Sequence, residues 1–180
     1  YLDENGAPQS VPSATLVTES DTAWDNGWYV DVAQDSITIH SRVTVSGDVR
    51  LILADGCELT IDGGIQVAHP NSLTIYGQSE GNGELTATAY QLIITPVSAA
   101  ITGGTVTAKG GDQGKDRQSA AGIGGGAKTP GGKITISGGT VTANGADGAS
   151  GIGHGGLGAT GGEITISGGT VTATGGSGNP

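Results

Sequence analysis

The sequence predicts an all-β fold: a three-faced right-handed parallel β-helix of about five coils behind an N-terminal cap. Three observations carry that expectation. Short apolar triplets recur at a fixed spacing, turn-forming residues fill the gaps, and the composition suits neither helices nor a conventional core. The 180 residues include 36 Gly and 22 Thr but no Phe or Met, with 34% hydrophobic and 3% aromatic residues. This strand-and-turn vocabulary excludes a helical bundle. A collagen-like Gly-X-Y period is absent as well.

The repeat is plainest near the end of the chain. Residues 133–145 (KITISGGTVTANG) return 30 positions later at 163–175 (EITISGGTVTATG), and a degraded copy lies 35 positions earlier at 98–110. Gly-Ile-Gly elements at 122–124 and 151–153 precede the two complete copies. In the first half Ile37-Thr38-Ile39, Val43-Thr44-Val45 and Leu51-Ile52-Leu53 are matched 22 residues on by Leu59-Thr60-Ile61, Ile65-Gln66-Val67 and Leu73-Thr74-Ile75. Each triplet puts two apolar residues on one side and one residue on the other, the period of a half-buried strand. Gly, Asp, Asn and Ser between them supply turns. Equivalent strands return only once per 22 to 35 residues, so hairpins cannot form. Stacked units bury what one unit cannot.

The triplets define three faces. Face A runs through Ile37/Ile39, Leu59/Ile61, Leu85/Ala87, Val106/Ala108, Val141/Ala143 and Val171/Ala173. Face B runs through Val43/Val45, Ile65/Val67, Leu92/Ile94, Ile123 and Ile152. Face C runs through Leu51/Leu53, Leu73/Ile75, Ala99/Ile101, Ile134/Ile136 and Ile164/Ile166. The right hand follows from the usual chirality of parallel crossovers. Insertions fall between strands, with a charged loop at 109–120 and Gly-rich crossings at 125–132 and 154–162. Inward residues shrink from Ile and Leu to Val and Ala along the chain, so the coil is expected to narrow.

Residues 1–35 lack the triplet rhythm and are assigned as the N-terminal cap that a solenoid end requires. Residues 36–180 form the β-helix, read as truncated at its C-terminal end. The chain begins at Tyr1 without Met and stops directly after a face A strand. It reads as a piece of a longer protein, with self-association expected through the bare last coil.

Charge narrows the partners. The 17 acidic and 7 basic residues give −10, which argues against nucleic acid and anionic membranes. The single Cys57 rules out an internal disulfide, and no Cys/His cluster has zinc spacing. Apolar runs are far too short for a membrane-spanning helix.

Three stretches, RVTVSGDVRLILADGCELTIDGGIQV at 42–67, NSLTIYGQSEGNGELTATA at 71–89 and the AGIGGG…GGKITISGGTVTANG units, carry a resemblance. The chain resembles the Gly-rich β-helix repeat domains of large secreted and surface proteins of Gram-positive gut bacteria. The resemblance covers about residues 20–176. It implies an extracellular or cell-surface module with a pectate-lyase-like fold, often labelled carbohydrate-binding. Residues 90–100 depart from it, since YQLIITPVSAA stands where a Gly-Ile-Gly unit is expected.

The candidate sites follow from the register. Thr38, Thr60, Thr86, Thr107, Thr142 and Thr172 are the outward middle residues of face A. With Thr105, Thr140 and Thr170 they make a flat Thr-x-Thr array on the last three rungs, spaced about 4.8 Å. Thr is also the best polar residue for an exposed strand, so the array reads as structural, as a sugar-binding face or as an ice-binding face. Trp24 and Trp28 are either a hydrophobic plug over the first coil or an aromatic platform for sugar. Asp55, Glu58, Asp62 and Glu84 fall on adjacent rungs and offer oxygen ligands that would suit Ca²⁺, although Asp-Gly at 55–56 and 62–63 is ordinary turn chemistry. No other cofactor is expected. A lyase of this fold needs clustered carboxylates and an Arg or Lys base, whereas Arg42 and Arg50 fall on different faces. The expectation is a non-catalytic surface or adhesion module for structural display or weak glycan binding. A polysaccharide lyase-like enzyme and an ice-binding protein are the alternatives.

Overall fold

The computed structural model describes residues 1–3, 5–31, 36–88, 98–111, 119–157 and 159–177. In chain order the strands of the first half are Thr15–Leu16 (β1), Ala23–Trp24 (β2), Gly27–Val30 (β3), Ser36–Ile39 (β4), Val43–Val45 (β5), Asp48–Leu53 (β6), Glu58–Ile61 (β7), Ile65–Val67 (β8), Ser72–Gly77 (β9) and Glu84–Thr88 (β10). Those of the second half are Ser98–Ile101 (β11), Thr105–Lys109 (β12), Ile123–Gly124 (β13), Lys133–Ile136 (β14), Thr140–Asn144 (β15), Ile152–Gly153 (β16), Glu163–Ile166 (β17) and Thr170–Thr174 (β18). Among the described residues there is no helix. The strands pair in parallel with the equivalent strand of the next coil, as the triplets require. The chain is an all-β parallel β-helix.

Face A is a six-stranded sheet in the order β4-β7-β10-β12-β15-β18, and face C a seven-stranded sheet in the order β1-β3-β6-β9-β11-β14-β17. Face B consists of β2-β5-β8 and, further on, β13-β16. Most described inward pairs stand in the register their triplets dictate: Leu59 pairs with Leu85, Val106 with Val141 and Ile134 with Ile164. On face C the expected match of Leu51/Leu53 with Leu73/Ile75 is corrected by two residues: Val49 stands opposite Leu73, Leu51 opposite Ile75 and Leu53 opposite Gly77, because β6 starts at Asp48 and Val49 adds a further inward position before the triplet. The expected face B rung at Leu92/Ile94 lies outside the described residues.

The segment expected to be only a cap takes part in the coils. β3 pairs with β6, with Tyr29 opposite Leu51, and β2 pairs with β5, with Trp24 opposite Val45. Parallel pairing therefore runs through position 36. The rhythm was hidden because β3 reads Gly27-Trp28-Tyr29-Val30, so its inward positions carry a glycine and a tyrosine instead of two aliphatics. The end of the solenoid is closed by Trp24, which is 0% exposed, and by buried Val17. The Trp24 indole N–H donates to Asp21 Oδ2 at 2.9 Å, so its one polar atom is satisfied.

Leu51, Leu53, Leu59, Ile61 and Leu85 form a buried column in the early coils, followed by Ile134, Ile136, Val141 and Ala143. Removing each Ile or Leu from water contributes roughly 1.5–3 kcal/mol. At the far end Ile164 and Ile166, equivalent to the fully buried Ile134 and Ile136, are 41% and 53% exposed. Among the described residues no further strand pairs beyond β17 on this face.

Corners between faces C and A in the later coils are Gly-Gly pairs. Gly104, Gly139 and Gly169 have φ of 73°, 78° and 81°, which favours glycine. A Cβ on Gly138 would collide with the Thr102 carbonyl oxygen of the coil below, and one on Gly168 with that of Ser137. These corners repeat because coils can approach only where no side chain intervenes.

Candidate binding faces

Face A presents its outward threonines as an unbroken column. Thr38, Thr60, Thr86, Thr107, Thr142 and Thr172 are paired in sequence across five strand junctions. A second column holds Ser36, Glu58, Glu84, Thr105, Thr140 and Thr170 in the same register. The last three rungs therefore carry the expected Thr-x-Thr array. Thr140, Thr170 and Thr172 are exposed, and Thr38, Thr60, Thr86, Thr105, Thr107 and Thr142 are half-buried by their neighbours.

The four carboxylates assigned to calcium are occupied in different ways. Glu58 and Glu84 are direct neighbours in the ladder, and the Ser36 hydroxyl donates to Glu58 Oε2 at 3.2 Å. Asp55 instead holds the turn of the next coil, accepting from the Ser79 hydroxyl and from the backbone N–H groups of Glu80 and Gly81 at 2.9 to 3.2 Å. Asp62 Oδ2 lies 2.8 Å from His40 Nδ1 across one rung. Among the described residues no three His, Cys, Asp or Glu side chains gather where they could hold a metal ion.

The two tryptophans part company. Trp24 is fully buried and is corrected from a candidate ligand residue to a core residue, because β2 turns it inward against Val45. Trp28 lies on the outer side of face C and is half-buried. Its ring centroid is 4.9 Å from that of Tyr1 and 5.4 Å from that of Tyr76, and the Tyr1 and Tyr76 rings are 4.6 Å apart. Arg50, its partner on the next rung, sets its guanidinium carbon 5.4 Å from the Trp28 ring centroid. Tyr1 reaches this patch because Leu2 bridges Pro8 and the Leu2 N–H donates to the Gly77 carbonyl at 3.0 Å. Sequence reading did not assemble this cluster. Its signal was the 22-residue offset from Trp28 to Arg50, the same offset that relates the triplets.

The outer column of face C continues from Arg50 through Thr74, Ala100, Thr135 and Thr165. At Ala100 the missing side chain leaves a shallow notch rimmed by Ser72, Thr74, Ser98, Lys133 and Thr135. Lys133 Nζ pairs with Glu163 at 3.2 Å on the next rung.

One buried carboxyl lies just after β3. Asp31 is 1% exposed; its Oδ1 accepts the Ala54 N–H at 2.6 Å, and Oδ2 has no partner among the described residues. Burial raises its pKa from 3.8 to about 6, opposed in part by the Ala54 N–H and the Cys57 thiol.

Stacked parallel strands on three sides, corners of glycine and outward ladders of hydroxyl side chains define a solenoid of β-helix coils. In agreement, a family model described as Beta helix repeat matches residues 100–127, 134–153 and 164–179. No curated protein and no solved structure matches the chain.

Proposed function

We propose that the chain is a non-catalytic extracellular module of a cell surface or secreted protein, a stiff rod that displays its outer faces and recognises glycans through them. The observation that supports it best is the unbroken register of outward hydroxyl side chains along six rungs of face A, beside the aromatic and arginine patch on face C. Such a surface offers many equivalent shallow hydrogen-bonding positions, which suits weak repeated contacts along a polysaccharide. The reading against catalysis draws on Arg42 and Arg50. Arg42 Nε donates to the Gly63 carbonyl at 3.3 Å in a turn, while Arg50 lies on Trp28. A glycan array with the 180-residue chain tests the proposal: binding to a defined set of polysaccharides is expected, and a blank array overturns glycan recognition.

The two Thr columns of the last three rungs favour a second reading, ice binding. Thr105/Thr107, Thr140/Thr142 and Thr170/Thr172 form a regular grid with a rung spacing of about 4.8 Å. An ice recrystallisation assay decides it, since unrestricted crystal growth at high protein concentration removes this reading.

A further inference from the structure

We infer that the patch around Trp28 on face C binds a sugar carrying a carboxylate, with the ring against the aromatic cluster and the carboxylate on Arg50. This deepens the glycan-recognition reading and rests on it. The chain has only two Trp and four Tyr, yet Tyr1, Trp28 and Tyr76 converge from three separate segments onto one outer patch. All three are only half-buried, in contrast to the enclosed Trp24. One face of a pyranose is lined with C–H groups that pack well on the negative face of an indole or phenol ring.

Arg50 supplies the charge preference. In a chain of net −10, no ion pair among the described residues joins it to a carboxylate. Asp48, two residues before it on the same outer side of β6, accepts from the Ser72 hydroxyl at 2.7 Å instead. The Trp28 ring holds the guanidinium in place without consuming its hydrogen-bond donors. An oriented guanidinium whose donors have no partner among the described residues is suited to bidentate recognition of a carboxylate. Further along the same column the next residue, Thr74, already rims the notch at Ala100, together with Ser72, Ser98 and Thr135. A second and third sugar could therefore continue along the helix axis over hydroxyl side chains, one rung of about 4.8 Å at a time.

The test is a tryptophan-fluorescence titration of the full chain with a glucuronate trisaccharide and with its methyl ester, beside the same glycan array. Saturable quenching by the acid is expected, with the ester at least tenfold weaker. Arg50→Gln should bring the acid to the level of the ester at an unchanged melting temperature, and Trp28→Ala should abolish binding of the acid measured by calorimetry. Equal affinity for acid and ester, or an Arg50→Gln chain that binds the acid normally, overturns the inference. An array that stays positive while both variants bind as the parent does removes this site but leaves glycan recognition standing. A blank array removes both. Should Trp28→Ala lower the melting temperature while neither sugar binds the parent chain, the cluster serves only to anchor Tyr1 and Leu2, which also overturns the inference.

Discussion

The two halves of the rod turn their corners by different chemistry. Up to about residue 88, side chains stitch one coil to the next. Asn26 Oδ1 accepts the Asp48 N–H, Asn71 Oδ1 the Gly47 N–H, Gln78 Oε1 the Asp55 N–H and Asn82 Oδ1 the Gly56 N–H, at 2.8 to 3.1 Å. From residue 98 onward the equivalent bonds run from backbone to backbone: Gly122 N–H to the Ser150 carbonyl, Gly125 to Gly153, Gly131 to the Thr160 carbonyl and Gly145 to that of Thr174. The charge follows the same division, because carboxylates and amides do the stitching in the first half and glycines replace them in the second. A corner must satisfy its backbone groups. It can do so with a polar side chain reaching across or with a backbone close enough to need none.

Substitutions can break this contrast, beginning with the ends. Trp24→Ala removes the plug of the closed end and should cost about 3–5 kcal/mol, read as a large fall in thermal midpoint by circular dichroism. Ile166→Ala at the open end, where the side chain is 53% exposed, should cost below about 1 kcal/mol. Comparable losses at both ends would mean that the last coil is covered in solution.

Next come the glycines. Gly124 has φ of 137°, and a Cβ there would collide with the Gly153 carbonyl oxygen of the following coil. Gly124→Ala should therefore cost about 3 kcal/mol, combining backbone strain with overpacking. Gly56, in the first half, has positive φ but open space around it, so Gly56→Ala should cost only about 1 kcal/mol. Asp55→Ala deletes the acceptor for Ser79, Glu80 and Gly81 and should cost about 2 kcal/mol. Hydrogen exchange should rise at residues 79–81 and leave the second half untouched.

The pH dependence concentrates at Asp31. Its folded pKa of about 6 lies above the ordinary 3.8, so the folded state holds the proton more tightly than the unfolded chain does. The contribution of this group to stability is fully present below pH 4 and is lost as pH rises through about 6. Thermal midpoints of the parent and of Asp31→Asn, taken from pH 4 to 7.5, should converge at low pH and separate at high pH, the variant losing less. The smallest effect belongs to Leu157, which is exposed with φ of 66°. Leu157→Gly should stabilise by less than about 1 kcal/mol, relief of the left-handed backbone being partly offset by unfolded-state entropy.

Face A was legible in the sequence because an apolar-Thr-apolar triplet states both its phase and its partner on the next rung. On face C the phase was legible but one partner was not, since Val49 adds an inward position to β6 and Leu51 stands opposite Ile75 rather than Leu73. The first coil was not, since Gly27 and Tyr29 occupy positions where the later rungs place aliphatic residues, and a period-2 pattern needs a contrast to be seen. Trp24 and Trp28, four residues apart, looked like one aromatic motif. The corner between β2 and β3 sends one into the core and the other to the surface. The Tyr1 and Tyr76 contribution was hidden for another reason: the bridge of Leu2 to Pro8 and its bond to Gly77 are tertiary contacts with no repeat behind them.

The Gly-Gly corners have a consequence for how such a rod can change over generations. A corner that carries no side chain makes no demand on the identity of its neighbour. Duplicating or deleting one 30-residue unit by recombination, as the near-identity of 133–145 and 163–175 invites, requires no compensating substitution. Each such event alters reach by one rung, about 4.8 Å, and adds one more row of the same threonines. In the glycine-built half, length is therefore heritable independently of surface chemistry. In the half joined by Asn26, Asp55 and Asn71, each corner has a specific correspondent, and the number of coils is tied to the residues that join them.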